Sequence, residues 1–146
     1  MKITNRKAYF DAQILENFEA GINLLGSEVK AVRLGHADLS GSFVKIVGSE
    51  AYLFNSKIFP YEYARPDNYN PTRTRKLLLH KAEIIALRSK MDGQNLTIVP
   101  ISLYTSRHRI KVELALAKSK KKADKRKVLK EETIKRDIEQ ALKNVH

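Results

Sequence analysis

"LTIVPISLY" at 96–104 and "RIKVELALA" at 109–117, joined through "TSRH" at 105–108, decide the fold class of this chain. In the second run Ile110, Val112, Leu114 and Leu116 alternate with Arg109, Lys111 and Glu113. Side chains of a strand point to opposite faces with period two, so this run is a strand with one apolar and one polar side. The two runs read as long neighbouring strands whose apolar side must be covered. Pro100 sits inside the first run and cannot donate to a ladder, so an edge or a bulge is expected there.

Outward from this pair the pattern repeats in shorter pieces. "AYFDAQIL" (8–15) sets Phe10, Ala12 and Ile14 against Tyr9, Asp11 and Gln13, which predicts a half-buried strand. "GSEVKAVRLG" (26–35) predicts a short helix with Ser27 as N-cap, Val29 and Val32 inward and Gly35 as its stop. "SFVKIV" and "EAYLFNSKI" flank Gly48-Ser49, a hairpin signal. "PYEYARPDNYNP" (60–71) is a loop by its prolines. "HKAEIIALRSKM" (80–91) places Ile84, Leu87 and Met91 on one helical stripe, stopped by Asp92-Gly93. Five or six strands with two short helices make a mainly β domain. Antiparallel strands in so small a chain must close or cover their edges, so the expected architecture is an OB-like small closed antiparallel β-barrel with embedded short α-helices.

The chain has 146 residues, enough for one domain with a sizeable core. It carries 28 Lys+Arg against 16 Asp+Glu, a net +12 that favours a polyanionic partner, nucleic acid first. No apolar stretch approaches the ~20 residues that span a bilayer, so no membrane role is expected. "MKITNRKAYF" does not read as a signal peptide, and the absence of cysteine excludes disulfides and thiolate metal sites. The expected location is cytoplasmic, with no metal and no cofactor.

After Ala117 the composition changes. Residues 118–146 carry eleven Lys/Arg and five Asp/Glu, a net +6, with no Pro, Gly or aromatic residue. The expected organisation is therefore a barrel over 1–117 and a basic C-terminal tail over 118–146. Ile134, Ile138, Leu142 and Val145 line one thin helical stripe. So thin a stripe gives a lone helix little to bury, which predicts a tail disordered alone and helical on an acidic partner.

Three clusters are candidate sites. In "PTRTRKLLLH" (71–80) a strand would put Arg73 and Arg75 on one face, where like charges repel unless an anion lies across them. Two readings compete for Arg73, Arg75 and Lys76: a solvated face, or phosphate contacts. Leu78 and Phe43 either fill the core or offer a platform for an unstacked base. Glu19 is either a surface carboxylate or an acceptor for a base amino group or ribose hydroxyl. A ribonuclease-like pairing of His108 with Lys111 lacks a second base and any carboxylate pair, so catalysis is not expected.

Six blocks then resemble one family in order and spacing: "NRKAYFDAQI", "FEAGINLLGSEVKAVRLG", "ADLSGSFVKI", "PTRTRKLLLHKAEI", "KVELALAKSKK" and "DKR". Together they resemble the SmpB family, whose members bind transfer-messenger RNA, from about Asn5 to the C-terminus. The resemblance implies a non-enzymatic adaptor in trans-translation that holds the tRNA-like domain of transfer-messenger RNA. With the elongation factor that delivers aminoacyl-tRNA, it would reach ribosomes stalled without a stop codon. The tail would then fold in the decoding centre and mRNA channel. The competing reading is a basic ribosomal or ribosome-assembly protein. By motif, the implied RNA face holds Glu19, Leu78, His80 and Lys111, with Asn5 and Phe43. Lys30, Arg33, Arg73 and Arg75 lie in matching blocks and take phosphates on the strength of their charge. The implied ribosomal end holds Lys118, Lys120, Lys121, Asp124, Lys125, Arg126, Ala141 and Leu142, together with the stripe of Ile134 and Ile138. Ser119 stands where the family often has Gly, and Ala123 where it often has an aromatic residue or His.

Overall fold

The computed structural model describes residues 1–62 and 68–119. In chain order its elements are β1 (Lys2–Thr4), α1 (Arg6–Asp11), β2 (Ala12–Ile22), α2 (Gly26–Arg33), β3 (Ala37–Asp38) and β4 (Phe43–Val47). There follow β5 (Glu50–Phe54), β6 (Lys57–Ile58), β7 (Arg75–Leu78), α3 (Lys81–Met91), β8 (Leu96–Ser106) and β9 (Arg109–Ser119). The protein is thus mainly β, with three short helices among the described residues.

The long pair forms as the alternation requires: β8 and β9 run antiparallel from Leu96↔Lys118 to Ser106↔Arg109. The main sheet has the order β1-β8-β4-β5-β7-β2-β9, every ladder antiparallel, with β8 and β9 also paired to each other. A separate two-stranded ribbon joins β3 to β6. Ile98, Val112 and Leu114 are fully buried, with Leu53 from β5 and Leu77 from β7 in the same cluster. Each such side chain contributes about 1.5–3 kcal/mol by leaving water. In α2, Ala31 and Val32 are buried and Val29 packs against the cluster; in α3, Ile84 and Leu87 are buried and Met91 packs against it.

Two local expectations are corrected, and one open alternative is decided. Residues 8–15 are not one strand: 6–11 form α1, and β2 begins at Ala12. The cause is Asn5, whose Oδ1 accepts from the Ala8 N–H at 3.3 Å and so supplies the N-cap of a turn that buries Ala8. The N-cap of α2 is Leu25, not Ser27, because the Glu28 carboxylate reaches back to the Leu25 N–H at 2.8 Å. Pro100 marks a bulge and not an edge, since the register of β8 against β9 shifts between Pro100 and Ser102 while β1 pairs along the other side. The Gly48-Ser49 hairpin forms as read, joining β4 to β5 with Gly48 at φ +64, a region L side chains rarely enter.

Candidate RNA-binding face

Ladder register builds the site. Leu78 of β7 lies opposite Gly21 of β2, Gly21 opposite Lys111 of β9, Lys111 opposite Tyr104 of β8, and Tyr104 opposite Lys2 of β1. Directly opposed residues share a face, so Leu78, Lys111, Tyr104 and Lys2 form one rung on the outer surface. Leu78 is 56% exposed, whereas its neighbour Leu77 is buried. Gly21 eases this: a Cβ there would stand 3.2 Å from Leu78 Cβ and Cδ1, so any larger residue would press the leucine away from its place across β2. Beside the rung is a cleft of about 290 Å³ lined by Leu78, Val29, His108, Arg109 and Lys111. Arg33 at the end of α2 donates to the His108 carbonyl at 3.0 Å and ties helix to cleft rim.

The adjoining rung is acidic. Glu19 of β2 lies opposite Glu113 of β9, two like charges side by side. Donors sustain them: Asn17 Nδ2 gives to Glu113 Oε1 at 3.0 Å, Ser102 Oγ to Glu113 Oε2 at 3.3 Å, and the Tyr104 hydroxyl to Glu19 Oε2. Burial, then the hydrogen bond to Glu19 and the two carboxylate charges, push the Tyr104 hydroxyl well above its ordinary value. Tyr104 stays a donor, and it links the acidic rung to the Lys111 rung.

On the neighbouring strands, Lys45, Tyr52 and Lys76 stand in one row across β4, β5 and β7. Phe43 stacks on Phe54 at 5.5 Å between ring centroids, and the Lys45 ammonium lies 5.5 Å from the Phe43 ring. Lys76 pairs with Glu50 at 3.5 Å, with both side chains 42% exposed. So exposed a pair holds Lys76 weakly. Cations thus alternate with aromatic rings on this outer surface. His80 is exposed at the start of α3, where its backbone N–H gives to Glu83 Oε1 at 3.0 Å. Lys30 is exposed on α2 with its Nζ 5.5 Å from the Tyr61 ring.

Two of the expected RNA contacts turn inward and a third is engaged. Arg75 is fully buried. Its Nη2 meets Glu28 Oε2 at 2.6 Å and Pro71 O at 3.0 Å, while Nη1 meets Ser56 O at 2.9 Å. Arg75 therefore cannot touch a phosphate. Arg73 gives its Nε to the same carboxylate at 3.1 Å and is 30% exposed. The strand expected across both arginines starts only at Arg75, with Arg73 in the turn before it; the two side chains nevertheless meet, because the Glu28 carboxylate of this chain, not RNA, lies between them. Burial works to raise the Glu28 pKa, yet hydrogen bonds from Arg73, the Leu25 N–H and Arg75 outweigh it and leave the carboxyl below its ordinary value. Asn5 is 3% exposed, capping α1 and giving its Nδ2 to Pro100 O at 2.8 Å, so it does not present its amide to a ligand.

Of the tail residues, Lys118 is exposed near the end of β9. Lys120, Lys121, Asp124, Lys125, Arg126, Ile134, Ile138, Ala141 and Leu142 lie outside the described residues. Among the described residues no three His, Asp or Glu side chains stand where they could hold a metal ion, and no helix is long and apolar enough to cross a membrane. The sequence reading missed Tyr104, Gly21, Glu28 and Glu113. Only Tyr104 left a signal, as the one aromatic of "LTIVPISLY".

Comparison with known proteins gives one answer. The family model described as SmpB protein matches residues 2–144. An SsrA-binding protein from a Sulfurihydrogenibium strain is 51% identical over 140 residues, covering 96% of this chain and 92% of the relative. Another SsrA-binding protein, from Chlorobium luteolum, is 50% identical over 142 residues, covering 97% and 90%. A solved structure described as "tmRNA-SmpB: a journey to the center of the bacterial ribosome" holds a similar chain: TM-score 0.70, 42% identity, 88% of this chain and 94% of that one.

Proposed function

Because this chain belongs to the SmpB family, we propose that it binds the tRNA-like domain of transfer-messenger RNA and brings it to stalled ribosomes for trans-translation. The observation that carries the reading is the pair of rungs in which an exposed Leu78 lies beside Lys111, with the Glu19 carboxylate one step along. An apolar side chain offers an unstacked base a flat partner, a lysine takes a phosphate, and a carboxylate accepts from a base amino group or ribose hydroxyl. Lys30, Arg33, Lys76, His80 and Phe43 extend the face. Arg73 holds Glu28 and plays a lesser part.

The barrel reading is supported by the ladders: from β8 through β4, β5, β7, β2 and β9 the pairing returns to β8. The body ends with β9, and the basic segment beyond it is the part that orders in the decoding centre and mRNA channel. The protein acts in the cytoplasm as an adaptor, not an enzyme, and meets the elongation factor only through the RNA. The test is titration of the labelled tRNA-like domain against bulk tRNA at physiological salt. The reading expects preference for the former and loss of it in Leu78→Ala and Lys111→Ala. Equal affinity for both RNAs in the wild-type protein would favour a general ribosomal RNA-binding role.

A further inference from the structure

The C-terminal end of α2 and the β3–β6 ribbon carry a second outer patch that the rungs do not include. The His36 carbonyl accepts from the Phe59 N–H at 3.0 Å, and Ala37↔Ile58 and Asp38↔Lys57 pair alongside. The turn after α2 and the segment around Phe59 are therefore held edge to edge. On this surface Phe59 is 44% exposed and Leu34 59% exposed. The same segments carry three exposed cations, Lys30 and Arg33 in the last turn of α2 and Lys57 in β6, two residues before Phe59. Two carboxylates belong to the same segments: Asp38, which accepts from the Ser40 N–H at 2.8 Å and stands opposite Lys57, and the exposed Glu62.

Leaving a phenylalanine and a leucine in water forfeits the free energy of burying them, and the cations in the same segments narrow what could cover them. The core of a protein–protein contact is poor in charge. A patch in which cations stand beside an exposed aromatic ring suits nucleotides, whose bases stack and whose phosphates pair. The patch is also continuous with the face above, since Arg33 Nη2 bonds the carbonyl of His108, which lines the cleft beside Leu78.

We propose that Phe59 is the stacking platform for an unpaired nucleotide of the bound RNA, with Lys30, Lys57 and Arg33 taking the flanking phosphates. The inference rests on the RNA-binding reading and adds a second contact region to it. The full chain is titrated with the labelled tRNA-like domain over a salt series. Phe59→Ala should weaken binding roughly tenfold with an unchanged log–log salt slope, because stacking and not charge is lost. Phe59→Tyr should restore most of the affinity. Lys57→Ala, which lies outside the face described above, should flatten the slope by about 1. Phe59 is an exposed side chain, and matching thermal melts would show that the variants fold alike. If these variants bind with wild-type affinity and slope while Leu78→Ala and Lys111→Ala are weakened, this second contact is overturned and the RNA-binding reading survives. If the wild-type protein itself fails to bind the RNA, both fall.

Discussion

Glu28 is the residue whose loss should cost this fold most for one side chain. It is 1% exposed and accepts from Arg73, from Arg75, from the Tyr69 hydroxyl at 3.0 Å and from the Leu25 N–H at 2.8 Å. In Glu28→Ala the fully buried Arg75 keeps Ser56 O and Pro71 O as neutral acceptors but loses its counter-charge. Removing one partner of a buried ion pair costs about 3–5 kcal/mol. Set against the ~5–15 kcal/mol that holds a domain together, that is about a fifth of the total or more. With each kcal/mol worth ~2–4 °C in a chain of this size, the melting temperature should fall by roughly 10 °C. Thermal and urea melts followed by circular dichroism read it. The double variant Glu28→Leu with Arg75→Met removes both charges and should cost less than the two single losses summed. A loss below about 1 kcal/mol for Glu28→Ala, or strict additivity in the double variant, would refute the claim that this carboxylate neutralises the buried arginine.

Four further outcomes are expected. The Glu28 carboxyl titrates below its ordinary 4.5 in the folded protein. Its contribution is therefore full above about pH 4.5 and lost as pH falls through the folded value. Acid melts of Glu28→Gln should accordingly lose less stability below that pH than the wild type does. Lys111→Ala should lower the log–log salt slope of RNA binding by about 1, and an unchanged slope would remove Lys111 from the phosphate contacts. Gly21→Val should leave the melting temperature lowered only modestly but weaken RNA binding as Leu78→Ala does, because the new side chain displaces Leu78; wild-type affinity would detach Leu78 from the interface. Ending the chain after Ser119, which keeps β9 whole, should spare most RNA binding and abolish peptide tagging; retained tagging would contradict the role assigned to the tail.

Local pattern was enough where local pattern decides the outcome. β8, β9, the β4–β5 hairpin and α3 all follow from alternation, a turn glycine or a 3.6-residue stripe. The outward turn of Leu78 was left open by the leucine run, and the burial of Leu77 decides it. What escaped depended on partners far along the chain. Nothing within "PTRTRKLLLH" says that Glu28, 47 residues before Arg75, waits inside for both arginines. Arginines usually face water, so Arg73 and Arg75 read as an outer cluster. Likewise "AYFDAQIL" alternates well, but its first four residues are drawn into a helix by the Asn5 cap and by burial of Ala8 against β8 and β9. The site was half legible: residue type raised Glu19 and Leu78 as open alternatives, and the family resemblance supplied Lys111. Only the register through Gly21 and Tyr104 brings them onto adjoining rungs.

The measurement closest to the centre of this account is hydrogen exchange, or amide shift mapping, of the full chain with and without the tRNA-like domain at physiological salt. The account predicts changes concentrated on β2 from Glu19 to Ile22, on β7 at Leu78 and on β9 around Lys111. Changes confined to α3 and β4, or none at all, would contradict it.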